Sequence, residues 1–331
     1  PGDIVAVTKL KETQTGDTLS TKADKLQLPP ITFPVPSISF AVEPKARADE
    51  GKISSALQRI MEEDPTIKML RDPQTKELVI SGNGQLHVEL VVNKLKRRYG
   101  VEVAMKPPKI AYRETILGQA DVDKKHKKQS GGRGQYGHVL IRMEPLPRGG
   151  DYEFVNSLVG MSIPRNFVPA IEKGILEAKN TGVLAGYPVV DFKIELYDGS
   201  HHEVDSSDMA FKIASSKAFK AAMKLARPTI LEPVMNVEVV IPEEFMGEIN
   251  GNLSGRRGRI QGMETKGKNH VVKASVPMAE MLDFEPTLTS ITGGRGSYTM
   301  EFSHYEEVPS HLQKKIIDEA VKEGRVKEEE E

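Results

Sequence analysis

The chain has 331 residues, enough for two or three domains, each with its own core. Lys and Arg number 46 against 47 Asp and Glu, and the net charge of −1 argues against wholesale electrostatic wrapping of nucleic acid. There is no cysteine, so disulfides and thiolate metal sites are excluded, and no apolar run reaches the ~18 residues of a membrane span, which together predict a cytoplasmic protein with no membrane partner.

The chain opens Pro1-Gly2-Asp3 without a Met and reads at once as strand, Ile4-Val5-Ala6-Val7. A polar turn and Thr15-Gly16-Asp17-Thr18-Leu19 follow, so residues 1–36 predict the end of a β domain with further chain upstream. Pro29, Pro30, Pro34 and Pro36 mark a linker.

From 37 to 110 the periods change in a regular way. Ile38, Phe40 and Val42 alternate as in a half-buried strand. Asp49 is placed to cap a helix whose Ile53, Ala56, Leu57, Ile60 and Met61 form one stripe, and Pro65 stops it. A hairpin is predicted next, Ile67 to Leu70 and Leu78 to Ile80 around Asp72-Pro73-Gln74. Gly82-Asn83-Gly84 turns into a second helix with Leu86, Leu90, Val91 and Leu95 inward, Gly100 ends it, and Val101 to Val103 is the last strand. The order is βαββαβ, the split βαβ arrangement.

Residues 111–232 read as mixed α/β. One helix is predicted from about Phe167 to Thr181, with Val168, Ile171 and Ile175 inward. Another runs from about Ser206 to Leu225 behind an Asp205-Ser206-Ser207-Asp208 capping box, with a small-residue face of Ala210, Ile213, Ala214, Ala218, Ala221, Ala222 and Leu225.

Residues 233–310 repeat the split βαβ order. The strand Val234 to Ile241 leads to a helix carrying Phe245, Met246, Ile249 and Leu253. Strands Arg259 to Glu264 and Val271 to Val276, a short helix from Pro277 and a strand Tyr298 to Phe302 complete it. Residues 311–331 predict a helix with Leu312, Ile316, Ile317 and Ala320, then an acidic tail. The fold class is α+β: two ferredoxin-like modules flanking a mixed α/β domain.

The chain has no Gly-x-x-x-x-Gly-Lys-Ser/Thr phosphate loop and no Gly-x-Ser-x-Gly elbow, so no catalytic residue is assigned. The pair His201-His202 lacks converging ligands, so no metal site is assigned either. Charge clusters locally: residues 121–148 hold seven Lys and Arg against three acids, and 256–273 hold six against one. Such runs fit RNA contacts at defined places, or solvated faces. The segment Lys124 to His138 combines four glycines with Lys128, Arg133, Tyr136 and His138, which suits phosphate contact and base stacking but also describes a flexible basic hairpin without a partner.

Gln129 to His138, Tyr187-Pro188-Val189-Val190-Asp191 and Gly199-Ser200-His201-His202-Glu203 through Lys212 resemble, in order and spacing, domain IV of elongation factor G. Glu62 to Pro65 and Ile80 to His87 resemble its domain III. Leu231-Glu232-Pro233, Gly255-Arg256-Arg257-Gly258 and Gly296 to Phe302 resemble domain V, and residues 1–36 look like the last strands of the β-barrel domain II. The resemblance implies domains III at 37–110, IV at 111–232 and V at 233–310, with domain IV of the ribosomal S5 domain 2-like type.

It further implies that the chain is the C-terminal part of a translational GTPase that promotes GTP-dependent movement of tRNA and mRNA on the ribosome. The parent's GTPase domain, absent from this chain, would bind GTP and Mg2+; the chain itself holds no cofactor, does no catalysis and is a monomer. Its tip would be two loops, Gly160, Met161, Ser162 and Ile163, and His201, His202 and Glu203, meeting the codon–anticodon pair in the small-subunit decoding centre. Gly247, Arg256 and Arg257 would meet large-subunit ribosomal RNA through the bidentate phosphate contacts that Arg favours. Some positions depart from the family pattern: Met161 replaces a Gly, His201 a Tyr, Asn83-Gly84-Gln85 a Met-Gly-Glu, and Pro286 falls where it should end a helix early. These keep open an elongation factor G-like paralogue acting in ribosome recycling or protection. A stand-alone RNA-binding protein is the remaining alternative.

Overall fold

The computed structural model describes residues 2–23, 25–129 and 134–326. They form two compact units, residues 1–110 with 235–303, and 111–234 with 304–331. Up to residue 37 the described chain forms no strand, against the expectation at Ile4–Val7. Ile4, Val5 and Val7 are exposed, and a strand exists only through the neighbour that takes up its backbone hydrogen bonds.

The first module runs β1 (Ile38–Pro44), α1 (Glu50–Glu63), β2 (Lys68–Arg71), β3 (Leu78–Gly82), α2 (Gln85–Tyr99) and β4 (Val103–Lys106). Its antiparallel sheet has the order β2-β3-β1-β4, with Phe40 opposite Ile80 and Val42 opposite Met105. Ile53, Ala56, Leu57 and Ile60 of α1 are buried with Ile38, Val42 and Ile80. Asp49 lies in a 3-10 turn and makes no side-chain cap; its carboxylate meets Lys52 instead.

The rotation of α2 differs from the expectation. Val88, Val91 and Leu95 are buried, while Leu86 and Leu90 are exposed. Two apolar stripes compete in this helix, and the ring of His87 decides between them. Its Nε2 bonds Asp64 Oδ2 at 2.9 Å, just past the end of α1, and its Nδ1 accepts Asn83 N–H at 3.2 Å. Glu63 adds ion pairs to Lys94 and Arg98 across the same two helices.

The second module runs β5 (Arg113–Ile116), β6 (Ala120–Lys128), β7 (Gln135–Pro145), β8 (Tyr152–Asn156), α3 (Val168–Thr181), β9 (Phe192–Ser200) and α4 (Asp208–Leu225). The sheet order is β6-β7-β9-β8, and β8 pairs with β9 in parallel. The inward residues of β7 and β9, among them Val139, Ile141, Phe192 and Ile194, pack with Ile171 and Ile175 of α3 and with Phe211, Ala214, Ala218 and Phe219 of α4. Leu225, expected inside, is exposed in the last turn. The cap of α4 is Ser207, whose Oγ accepts Ala210 N–H at 3.3 Å. Asp205 does not start the capping box, because its carboxylate accepts Gly134 N–H at 2.9 Å.

The third module runs β10 (Pro228–Pro242), α5 (Met246–Gly255), β11 (Arg259–Lys266), β12 (Asn269–Pro277), α6 (Met278–Met281), α7 (Phe284–Thr292) and β13 (Ser297–Glu307). The order β11-β12-β10-β13 repeats that of the first module, and β5 bonds the opening residues of β10. Pro286 does not end a helix. It lies in the first turn of α7, where its missing N–H would have no partner in any case. Helix α8 (Ser310–Lys322) buries Ile316 and Ala320 with Tyr187 and Ile230.

Candidate nucleic-acid interface

Two loops meet at one end of the β7–β9 pair. The first leaves β8 and exposes Val159 and Met161, with Gly160 between them at φ +76, a conformation most side chains avoid. Ile163, expected as a contact residue, is only 2% exposed and packs into the core, where it anchors the loop. The hydroxyl oxygen of Ser162 is also buried.

The second loop leaves β9 at Ser200 and exposes His201, His202 and Glu203. It is latched on both sides. His202 N–H donates to Ser206 Oγ at 2.9 Å, Ser206 N–H donates to His202 O at 3.1 Å, and Ser206 Oγ–H donates to Tyr136 O at 3.0 Å. Tyr136 N–H donates to Asp205 O at 2.9 Å. His201 Nδ1 lies 3.1 Å from Ser162 O and so ties this loop to the first. The described residues 134–138 and the second loop therefore hold each other through backbone groups, with the first loop fastened on.

The basic segment resolves into two kinds of residue. Lys124, Lys125, Lys127 and Lys128 of β6 are exposed. Tyr136 and His138 are structural in part. Tyr136 Oη bonds Ser200 Oγ at 2.8 Å, Ser200 Oγ lies 2.8 Å from His138 Nδ1, and His138 Nε2 bonds Asp123 Oδ1 at 2.7 Å. With its side chain only 16% exposed, His138 serves the sheet rather than a phosphate. The Tyr136 ring faces His202 at 6.2 Å, and Lys125 Nζ stands 5.7 Å from its centre. Gly137 is there for packing: a Cβ would come 2.7 Å from Ala210 O of α4. Arg133 lies outside the described residues.

In the third module Gly247 opens onto free space on α5, with nothing near an added Cβ. Arg256, expected at RNA, is half-buried, and its guanidinium is engaged within the module. Its guanidinium bonds Asn252 Oδ1 at 2.8 Å, Thr287 Oγ1 at 3.1 Å, Glu280 O and the Asp283 carboxylate, and it stands 5.5 Å from the Phe284 ring centre. It stitches α5 to α6 and α7. Arg257 is turned toward Glu280, with Nε to Oε1 at 2.8 Å and about a quarter of its side chain exposed.

Glu114 escaped the sequence reading altogether. Its carboxylate is fully buried and accepts four backbone N–H groups, from Val183, Leu184, Ala185 and Tyr187, at 2.7 to 3.1 Å. That fixes the chain between α3 and β9. The strand that carries Glu114, Arg113-Glu114-Thr115-Ile116, has no apolar pattern to mark it, and the partners of the carboxylate lie about seventy residues away. Among the described residues no group of three or more His, Asp and Glu could hold a metal ion, and no helix is long and apolar enough to cross a membrane.

Comparison with known proteins gives three family matches in series. Residues 33–107 match elongation factor G domain III, 108–227 match domain IV, and 229–316 match the elongation factor G C-terminus. The chain is 53% identical over 329 residues to an elongation factor G-like protein of Thermotoga maritima, covering 99% of this chain and 48% of that one. A crystal structure of a protein from Thermus thermophilus superposes with a TM-score of 0.78 at 45% identity, over 92% of this chain and 45% of that one. The chain thus spans about half the length of these relatives.

Proposed function

This chain belongs to the elongation factor G family, and from that premise we propose that it is the ribosome-contacting part of a translational GTPase that moves tRNA and mRNA. Hydrolysis takes place elsewhere, in a GTPase domain of the parent protein that binds GTP and Mg2+. This part works as lever and pawl. Residues 37–110 couple the nucleotide state to the arm, and residues 111–232 carry the fingertip to the decoding centre. Residues 233–310 rest on large-subunit RNA through Gly247 and Arg257.

One observation carries the reading: the fingertip of the second module. Met161, His202 and Glu203 stand out from loops whose backbones are fastened by Ser206, Tyr136 and the buried Ile163. A rigid projection suits insertion against a macromolecular surface, where ordering a loose loop would weaken binding. Lys127 and Lys128 are set to follow phosphates, and the Tyr136 ring lies beside His202.

The test is tRNA–mRNA movement by the full-length parent on cognate ribosomes. His202→Ala should slow movement about tenfold or more, ~1.4 kcal/mol on the barrier, and leave GTP hydrolysis unchanged. Hydrolysis without movement by the unsubstituted protein would favour the second reading, ribosome recycling or protection. Met161 and His201 at the tip support that alternative, as does the likeness to an elongation factor G-like protein.

A further inference from the structure

We propose that Asn83 is a site of self-modification: the Gly84 backbone nitrogen attacks its side-chain amide and leaves aspartate or isoaspartate immediately before α2. The pair Asn-Gly occurs twice in the chain, at Asn83-Gly84 and Asn250-Gly251. The sequence treats the two alike, and their surroundings do not.

Asn83 lies exposed between β3 and α2. Its backbone is held on both sides, with Asn83 N–H donating to His87 Nδ1 at 3.2 Å and Ser37 Oγ–H donating to Asn83 O at 3.0 Å. Among the described residues its side-chain amide makes no hydrogen bond, and neither does the Gly84 N–H, which precedes the first turn of α2. Gly84 has no Cβ to obstruct ring closure. Asn250 is the opposite case. It lies inside α5, with Nδ2 3.7 Å from Met263 Sδ and Oδ1 buried. Gly251 N–H belongs to the helix ladder, so a ring can close there only after α5 opens.

A peptide nitrogen attacks only as it gives up its proton, and two features of this turn favour that loss. The Ser37 hydroxyl holds the oxygen of the same peptide group, where the negative charge gathers. The positive end of α2, a helix of 15 residues, begins at Gly84. The Gly84 nitrogen then bonds Asn83 Cγ, and the bond from Cγ to Nδ2 breaks. Nδ2 leaves as ammonia, with its own two hydrogens and a proton equal to the one lost from Gly84. Water opens the five-membered imide at either carbonyl, giving aspartate or isoaspartate, and nothing is oxidised or reduced. Both products set a carboxylate at the start of a helix that has no side-chain cap, where negative charge is favoured. Isoaspartate also adds a methylene to the backbone between Asn83 N–H and His87, and so slackens the contact through which His87 sets the rotation of α2.

The experiment ages the folded 331-residue chain at mildly alkaline pH. Peptide mass spectrometry follows both amides, and methylation by an isoaspartyl carboxyl methyltransferase detects the branched product. Asn83 should become acid at least about tenfold faster than Asn250, and in denaturant the two should react alike. Ser37→Ala should slow the reaction at Asn83 about three- to tenfold. Gly84→Ala should slow it about tenfold or more, because its methyl shields the nitrogen, while the open space around that methyl leaves the fold intact. The Asn250 rate in the same sample reports whether each variant stays folded. Equal rates at Asn83 and Asn250 in the folded chain overturn the proposal, as does an Asn83 amide that survives folded and is lost only in denaturant. Acid at residue 83 that accepts no methyl group excludes the imide and overturns it too. A folded Ser37→Ala that ages as fast as the parent removes the assistance assigned to Ser37.

Discussion

Arg256 has the side chain of an RNA-binding residue and the surroundings of a structural one. Four acceptors on three elements share its guanidinium. Arg256→Ala removes all four bonds at once and should lower unfolding free energy by about 1–3 kcal/mol, read as a shifted denaturant midpoint. Arg256→Lys should recover little, because one ammonium cannot span the fork. A variant as stable as the parent would return Arg256 to the surface. Glu114→Ala should be at least as damaging, about 3 kcal/mol or more, since it orphans four amides, two of them buried. At this scale the sequence is a partial guide. The resemblance to elongation factor G singled out Arg256 and Ile163, and the basic glycine-rich segment singled out His138, yet each proves to be held by partners far along the chain.

Elements were more legible than residues. Periods of 3.6 and 2, with Pro and Gly punctuation, gave both split βαβ modules and the helices α3 and α4, since a periodic apolar face must be covered. What the pattern left undecided was rotation and latching: which stripe of α2 faces in, and which residue caps α4. A side chain settles each case, the His87 ring on Asp64 and the Ser207 hydroxyl on Ala210 N. The His87 latch has a pH signature. Burial pushes the Asp64 carboxyl up, but bonds from Thr66 and His87 outweigh it and hold the group below the usual aspartate range. A folded value below the unfolded one stabilises above the ordinary aspartate range, and that stability is lost as pH falls through the folded value. Unfolding followed from about pH 6 to pH 3 should therefore show a shallower acid loss in Asp64→Asn than in the parent. Equal slopes would dismiss the latch. Gly137→Ala tests the other module. The added methyl meets the Ala210 carbonyl and should cost about 1–3 kcal/mol in thermal unfolding, and the Val204 and Asp205 amide signals should shift as α4 moves.

For the whole chain, a net charge near zero concealed an uneven surface. In the run from 256 to 273, Arg256, Arg257 and Lys273 are engaged with Asp283, Glu280, and Glu238 and Glu264. In the run from 121 to 148, Arg142 and Arg148 are similarly paired with Asp121 and Glu307, while the lysines of β6 face outward. Counting charges along the sequence could not separate these cases. If the β6 lysines meet phosphates, ribosome binding should weaken steeply with salt. Replacing Lys127 and Lys128 by Ala should then reduce the slope of log K against log salt by about one for each phosphate no longer neutralised. An unchanged slope would make those lysines a solvated face.

Placement of the fingertip is the central claim, and a cryo-electron map of the full-length parent on a ribosome holding tRNA and mRNA tests it most directly. The account predicts His201 and His202 within hydrogen-bonding distance of the paired codon and anticodon, with Lys127 and Lys128 along a phosphate backbone. Density that puts residues 200–203 in open solvent, or against ribosomal protein away from the decoding centre, would contradict it.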